Sequence, residues 1–424
     1  SIIEVTQEKR NAGQLVFDIN GEYANDNPQD GNSSIAGAYP ERCEVYALTR
    51  KTNTPSKSLR LNFYEQTDQC HQILGRLLTQ DGRNAGYVTA FSSVAMPSID
   101  EISKLPGDEE GFKQRTQQTR KILIFWAALH KAGFSFDEKR LSQIAPRVPR
   151  SKSPFDPVFL GDLRAVAYGG KIPPDEPRTL AQLRMELETI NRFRRDNPNH
   201  DALKTKSSKS PVFDSDDVAL LEFFDPKPGL SGTTYLQAYR MYHDPQANYL
   251  TSEVLASLNK GVTVILDLGN ATEEIVRYFS DMLALAVFNH QVTKFSENQL
   301  GDHFIQLYFE EAHNLFPTSS DAVTQIYARL AKEGAKYHIG MVYSTQSPTT
   351  VNRDLLAQTE NFFVAHLASQ DDVNSLARVN IAYEAMKDDI LKAKTPGYMR
   401  MLTRSHRFVI SLQANKFALP TVKN

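Results

Sequence analysis

Hydrophobic and polar positions change period along this chain, and the changes mark its elements. Four short apolar runs each finish at or near a polar or acidic residue: 15–18 (Leu-Val-Phe-Asp), 262–268 (Val-Thr-Val-Ile-Leu-Asp-Leu), 304–309 followed by Glu310 and Glu311, and 339–346 (Ile-Gly-Met-Val-Tyr-Ser-Thr-Gln). Runs this short, with little alternation, predict strands buried on both faces. From 272 to about 292 apolar residues recur at three and four spacing, which predicts a helix. A second helix is expected over 322–333, residues 2–11 read as a helix end, and further strands are expected at 361–367 and, at an edge, 408–412. Strands alternating with helices imply right-handed crossovers and a mostly parallel sheet. The fold class is α/β.

The middle of the chain follows another pattern. Helical segments at 110–132 and 178–195 dominate it, broken by Ala145-Pro146-Arg147-Val148-Pro149-Arg150. The expected organisation is therefore a first core part over 1–97, a mainly helical insertion over 98–250 and a second core part over 251–424. Residues 204–210 form a polar, basic loop, and no internal repeat interrupts the scheme.

Composition narrows the classes. A chain of 424 residues suits roughly two to three domains, or one large α/β domain with insertions. With 48 basic against 50 acidic residues the net charge is −2, so a nucleic-acid surface must be local and not a global field. Cys43 and Cys70 stand far apart without metal-ligand spacing, which argues against a disulfide framework or zinc site and fits a reducing cytoplasm. The longest apolar stretch, 122–129, falls far short of the roughly 20 residues that cross a bilayer, and the start lacks a signal-peptide pattern. A cytoplasmic protein with no membrane partner is expected.

The chemistry gathers at the strand ends. In a parallel sheet Asp18, Asp267, Glu310 with Glu311, and Gln346 share the carboxyl-end rim, where such sheets bind ligands. In a nucleotide hydrolase the first of two adjacent carboxylates holds the magnesium shell and the second polarises the attacking water, roles for Glu310 and Glu311. The same pair also suits the acidic first turn of a helix. Gln346 reads as a sensor of the terminal phosphate or water, or as a strand cap. Asp18 reads as a helper for magnesium or water, and Glu22 either flanks the phosphate site or closes the turn. Asp267 supports the rim or, the favoured reading, caps the following helix. His313 relays nucleotide state or bonds locally. Arg192-Phe193-Arg194-Arg195 and the basic residues of 204–209 either touch nucleic-acid phosphates or form a solvated face. No Ser-His-Asp arrangement, metalloprotease helix or nuclease carboxylate cluster stands out.

Several stretches together resemble one family. Phe17-Asp18-Ile19-Asn20-Gly21-Glu22-Tyr23, Glu310-Glu311-Ala312-His313-Asn314, Ala331-Lys332-Glu333-Gly334 with Lys336-Tyr337, Ser344-Thr345-Gln346-Ser347-Pro348 and Asn352-Arg353-Asp354-Leu355-Leu356-Ala357-Gln358 look like the HerA branch of the HerA–FtsK ATPases in order and spacing. The likeness is strong over 303–367, fair over 14–23 and 261–290, and weak across the insertion. It implies a RecA-like P-loop NTPase core that uses ATP and Mg2+, assembles as a homo-hexamer and pumps double-stranded DNA. It also implies an effector partner, a nuclease or a sirtuin-like NAD-consuming enzyme, in DNA processing or antiviral defence. The alternative is a ring-shaped scaffold that activates the effector, with hydrolysis secondary.

Three departures qualify the likeness. Glu310-Glu311 replaces the family's Asp-Glu, moving a carboxylate by one methylene. Family arginines are missing at Ala335 and Ser347, leaving Arg329, Lys332, Lys336 and Arg353 as candidates for the trans-acting cation. Finally, Gly-x-x-x-x-Gly-Lys-Ser/Thr is absent, and Gly169-Gly170-Lys171-Ile172 reads as a loop. Family order puts the phosphate loop before the helix that Ile2-Ile3-Glu4-Val5 finishes, so the chain is expected to begin inside that helix, without the loop or the family's β-barrel, and to hydrolyse ATP weakly or not at all by itself.

Overall fold

The computed structural model describes residues 2–6, 8–27, 33–146, 148, 151–206, 209–247, 250–316 and 324–417. Expectations for Arg147, Pro149, Arg150, Ser207, Ser208, Pro317, Ala322 and Val323 lie outside the described residues. Two compact units emerge, one made of Ser1–Leu59 with Tyr249–Asn424, the other of Arg60–Asn248.

The first unit is built on six parallel strands: β1 (Ala12–Asp18), β2 (Cys43–Ala47), β3 (Lys57–Ser58), β4 (Thr263–Asp267), β5 (Phe304–Phe309) and β6 (Ile339–Tyr343). Their spatial order is β3-β2-β4-β1-β5-β6. The parallel, helix-flanked sheet expected from the apolar runs is thus present. One face carries Leu15, Phe17, Val264, Leu266, Ile305, Leu307 and Phe309, all buried. Phe17 and Phe309 stack with centroids 4.7 Å apart, and Tyr327 of the helix Thr324–Glu333 meets Phe309 edge-on at 5.4 Å. Gly13 lets the helix Leu250–Asn259 approach, because a Cβ there would stand 2.3 Å from the Leu258 carbonyl oxygen.

The other face is graded. Register aligns Val45, Ile265, Val16, Tyr308 and Val342 in one row across β2, β4, β1, β5 and β6. The short helix Ile35–Ala38 covers the β2 side, so Val45, Ile265 and Val16 are buried, while Val342 on the open edge is 45% exposed.

Two of the expected strands belong elsewhere. Residues 361–367 and 408–412 supply β7 (Phe362–Val364) and β9 (His406–Gln413), which flank β8 (Tyr398–Thr403) in a separate antiparallel sheet. Neither β8 nor β2 stood out in the sequence, because each carries a charge that breaks the apolar run. Arg400 in β8 is fully buried and donates from Nε to Asp389 at 2.7 Å. Glu44 in β2 accepts from Lys57 Nζ at 2.9 Å and from Ser257 Oγ at 3.0 Å.

The second unit is helical, and the helices Glu109–Lys131 and Leu180–Asp196 match the expected 110–132 and 178–195. The unit begins at Arg60 and not at 98, since it also holds the helices Thr67–Gln80 and Gly86–Ser92. Trp126 is fully buried and donates to the Tyr64 carbonyl at 2.8 Å. The basic segments are engaged within the unit: Arg194 donates to Asn191 Oδ1 at 2.9 Å, Arg195 to Asp225 Oδ2 at 2.9 Å, and Lys206 pairs with Asp162 at 2.6 Å. Gly169 and Gly170, with φ of 70° and 74°, end the helix Gly161–Ala167, consistent with a loop. Among the described residues, no helix is long and apolar enough to cross a membrane.

Candidate functional site

Strand register puts the acids level with one another. Asp18 pairs with Asp267 across β1 and β4, Phe17 with Phe309 across β1 and β5, and Phe309 with Tyr343 across β5 and β6. The β5–β6 pairing continues past the strand ends, as Ser344 N donates to the Phe309 carbonyl at 3.0 Å and Ala312 N to the Ser344 carbonyl at 2.8 Å.

Asp18 faces inward and is fully buried. Its Oδ1 accepts from Glu22 N at 3.0 Å, and its Oδ2 from Tyr23 N at 3.0 Å and Ala24 N at 2.9 Å. The residue folds the turn that follows β1, where Gly21 adopts φ 74°. Burial pushes its carboxyl up to about 7, with the charges of Glu310 and Asp267 adding and the amides of Ala24 and Tyr23 opposing. These three amide bonds give Asp18 a role in holding the loop that follows β1. Glu22, on that turn, is exposed.

Asp267 does not cap the helix Glu273–Ser296, whose N-cap residue is Thr272. Its Oδ2 accepts from Asn25 Nδ2 at 2.8 Å and its Oδ1 from Gly269 N at 3.1 Å, so it belongs to the rim. Asn25 ties this corner together, its Nδ2 also donating to the Gly21 carbonyl at 2.9 Å and its Oδ1 accepting from Thr54 at 2.8 Å. Sequence reasoning missed Asn25; its place four residues after the turn glycine was the available signal.

The two glutamates after β5 diverge. Glu310 turns toward β1, its Oε2 accepting from Ile19 N at 3.1 Å and Asn20 N at 3.3 Å. Burial raises its carboxyl above the ordinary range, with the Asn20 amide opposing. Glu311 sits in the left-handed region, φ 45° and ψ 53°, a conformation that costs a non-glycine residue roughly 1–3 kcal/mol. Its side chain reaches the segment that follows β6, where Oε1 accepts from Gln346 Nε2 at 2.7 Å. His313 Nδ1 stands 3.3 Å from Glu311 Oε2.

The four candidate cations split into two kinds. The Arg329 guanidinium lies 4.4 Å over the Phe288 ring and pairs loosely with Glu333 at 3.9 Å, while Lys336 lies 4.9 Å over Phe295. Lys332 and Arg353 are exposed on or beside the same elements. A polar cleft of about 230 Å³, lined by Asn20, Lys51, Asp267, Gly269 and Asn270 among others, opens outside the carboxyl ends of the central strands.

No family model matches the chain. A probable helicase of Methanocaldococcus jannaschii is 30% identical over 92 residues, covering 22% of this chain and 17% of that protein. The DNA double-strand break repair helicase HerA of Sulfurisphaera tokodaii is 20% identical over 127 residues, 30% of this chain and 26% of the relative. The chain thus matches about a sixth to a quarter of the length of these curated relatives. Among solved structures, the unbound bacterial conjugative coupling protein TrwB aligns over 99% of this chain and 82% of its own at 10% identity and a TM-score of 0.44. The genome packaging NTPase of Sulfolobus turreted icosahedral virus 2 aligns over 39% and 71% at 11% identity and 0.30. In motifs and in curated relatives the chain is similar to the HerA branch of the HerA–FtsK ATPases, and its core is the parallel α/β fold that this resemblance implies.

Proposed function

We propose that this chain is part of an ATP-driven motor of the HerA type, a homo-hexameric ring that translocates double-stranded DNA in the cytoplasm and works with a nuclease or NAD-consuming effector in DNA processing or phage defence. The observation that carries the hydrolytic part is Glu311, held in a strained backbone at a strand end with its carboxylate against Gln346 of the neighbouring segment. In this reading Glu311 orients the attacking water and takes its proton, and Gln346 exchanges its bond to Glu311 for one to the terminal phosphate. The motif resemblance supports the ring part, and it and the two relatives, a probable helicase and a DNA double-strand break repair helicase, support the DNA part.

Magnesium, when bound with nucleotide, neutralises phosphate charge and keeps most of its own water. The residues fit such a hydrated ion. Glu310 keeps Oε1 outside its two amide bonds, and among the described residues no three acids, imidazoles or thiols converge into an all-protein cage. Asp18 supports this from behind by fixing the Glu22–Ala24 turn, and Glu22 flanks the phosphate side. For the trans-acting cation, Lys332 and Arg353 rank ahead of Arg329 and Lys336, which already lie over aromatic rings.

The test compares wild-type protein with Glu311→Gln, expressed from the complete gene, in ATP hydrolysis with linear duplex DNA and in complex mass. DNA-stimulated turnover should vanish while assembly persists, and normal turnover in the variant overturns the hydrolytic reading. Effector activation retained by the hydrolysis-dead ring assigns it to scaffolding.

A further inference from the structure

Glu311 is gripped on both sides. Its Oε1 accepts from Gln346, whereas its Oε2 is shielded from solvent, makes no hydrogen bond and faces His313 Nδ1 at 3.3 Å. That nitrogen is likewise shielded and, among the described residues, makes no hydrogen bond of its own. Two orphaned polar atoms facing each other at contact distance are costly unless they share a proton, since each has given up water. The short helical turn Ala312–Asn314 that carries His313 is held in place by the Ala312 N bond to Ser344, so the imidazole is presented to Glu311 by the pairing of β5 with β6.

We infer that His313 is a positioning residue for Glu311: its Nδ1–H donates to Oε2 and fixes the carboxylate plane, while Gln346 holds the other oxygen until nucleotide draws it away. The inference rests on the hydrolytic reading of Glu311. With Gln346 released to the phosphate, His313 is the group that keeps the carboxylate from rotating off the water. A carboxylate swung aside by about an ångström loses roughly 10²-fold in rate, and a donor at Nδ1 is what prevents that. Asn fits the same place, because its amide nitrogen reaches about as far from the backbone as Nδ1 does.

The experiment measures kcat and KM for ATP with saturating duplex DNA, alongside thermal melting, for wild type, His313→Ala, His313→Asn and Glu311→Gln. His313→Ala should lower kcat about 10- to 100-fold with KM and melting unchanged, and His313→Asn should return to within about threefold of wild type. A wild-type kcat in His313→Ala overturns the inference, as does equal loss in both His313 variants with a lowered melting temperature, which marks a purely structural histidine. Wild-type turnover in Glu311→Gln overturns the hydrolytic reading itself, so the two failures are distinguishable.

Discussion

The two units treat buried acids in opposite ways. In the helical unit Glu186 meets Arg164 Nε at 2.6 Å and Asp217 meets Arg120 Nη1 at 3.2 Å, all four side chains being nearly or wholly buried. On the rim of the sheet unit Asp18, Asp267, Glu310 and Glu311 accept from backbone amides, Asn25 and Gln346, and among the described residues no Lys or Arg pairs with them. A guanidinium locks a buried acid into the fold and favours its charged form; an acid left without one loses part of that preference. The cost is visible in Asp18, pushed up to about 7 by burial with neighbouring carboxylates adding. Asp217, also buried, is pushed up only to about 6 because Arg120 opposes burial.

This contrast can be broken at its sharpest point first. Glu311→Gln keeps the shape and removes the charge, so turnover should fall by roughly 10² to 10⁴-fold while the melting curve stays put. Next, Glu186→Ala in the helical unit strands the Arg164 guanidinium and should cost about 3–5 kcal/mol in urea unfolding. The paired change Arg164→Met with Glu186→Leu should recover most of that loss, and failure to recover would show that the ion pair specifies the packing and does not merely neutralise itself.

Asp18 tests the contrast by pH. A carboxyl raised from 3.8 to about 7 binds more protons folded than unfolded, so stability is greatest below about pH 4 and declines as pH rises through 7. The decline amounts to about 4 kcal/mol at most, following from that shift at 1.36 kcal/mol per unit. Asp18→Asn should flatten it, as read by hydrogen exchange of the β1 amides against pH. In the helical unit His71 is buried between Phe91 and Phe125 and lowered to about 4, which gives the reverse slope: stability there rises from pH 4 to 6.5. His71→Phe should remove that rise while leaving the β1 amides untouched. The smallest effect belongs to the graded face: Val342→Thr on the exposed edge should change stability by less than about 0.5 kcal/mol, whereas Val16→Ala in the same row should cost about 1–3 kcal/mol.

The sequence by itself determined the strands of the sheet's centre and the acids behind them, because a short apolar run bounded by polar residues has few other ways to be buried. It also marked the resemblance that names a nucleotide chemistry, and it put Glu311 and Gln346 on one rim. Tertiary structure alone decided which way each acid points. Asp18 and Glu310 look alike in sequence as strand-end carboxylates, yet one turns inward to hold three amides and the other spans two strand exits. It also decided that Asp267 serves Asn25 instead of a helix start, and that β7 and β9 join a sheet of their own around Arg400. The physical reason is that periodicity reports how a segment is buried, while side-chain direction and strand partnership depend on backbone dihedrals and contacts between residues hundreds of positions apart.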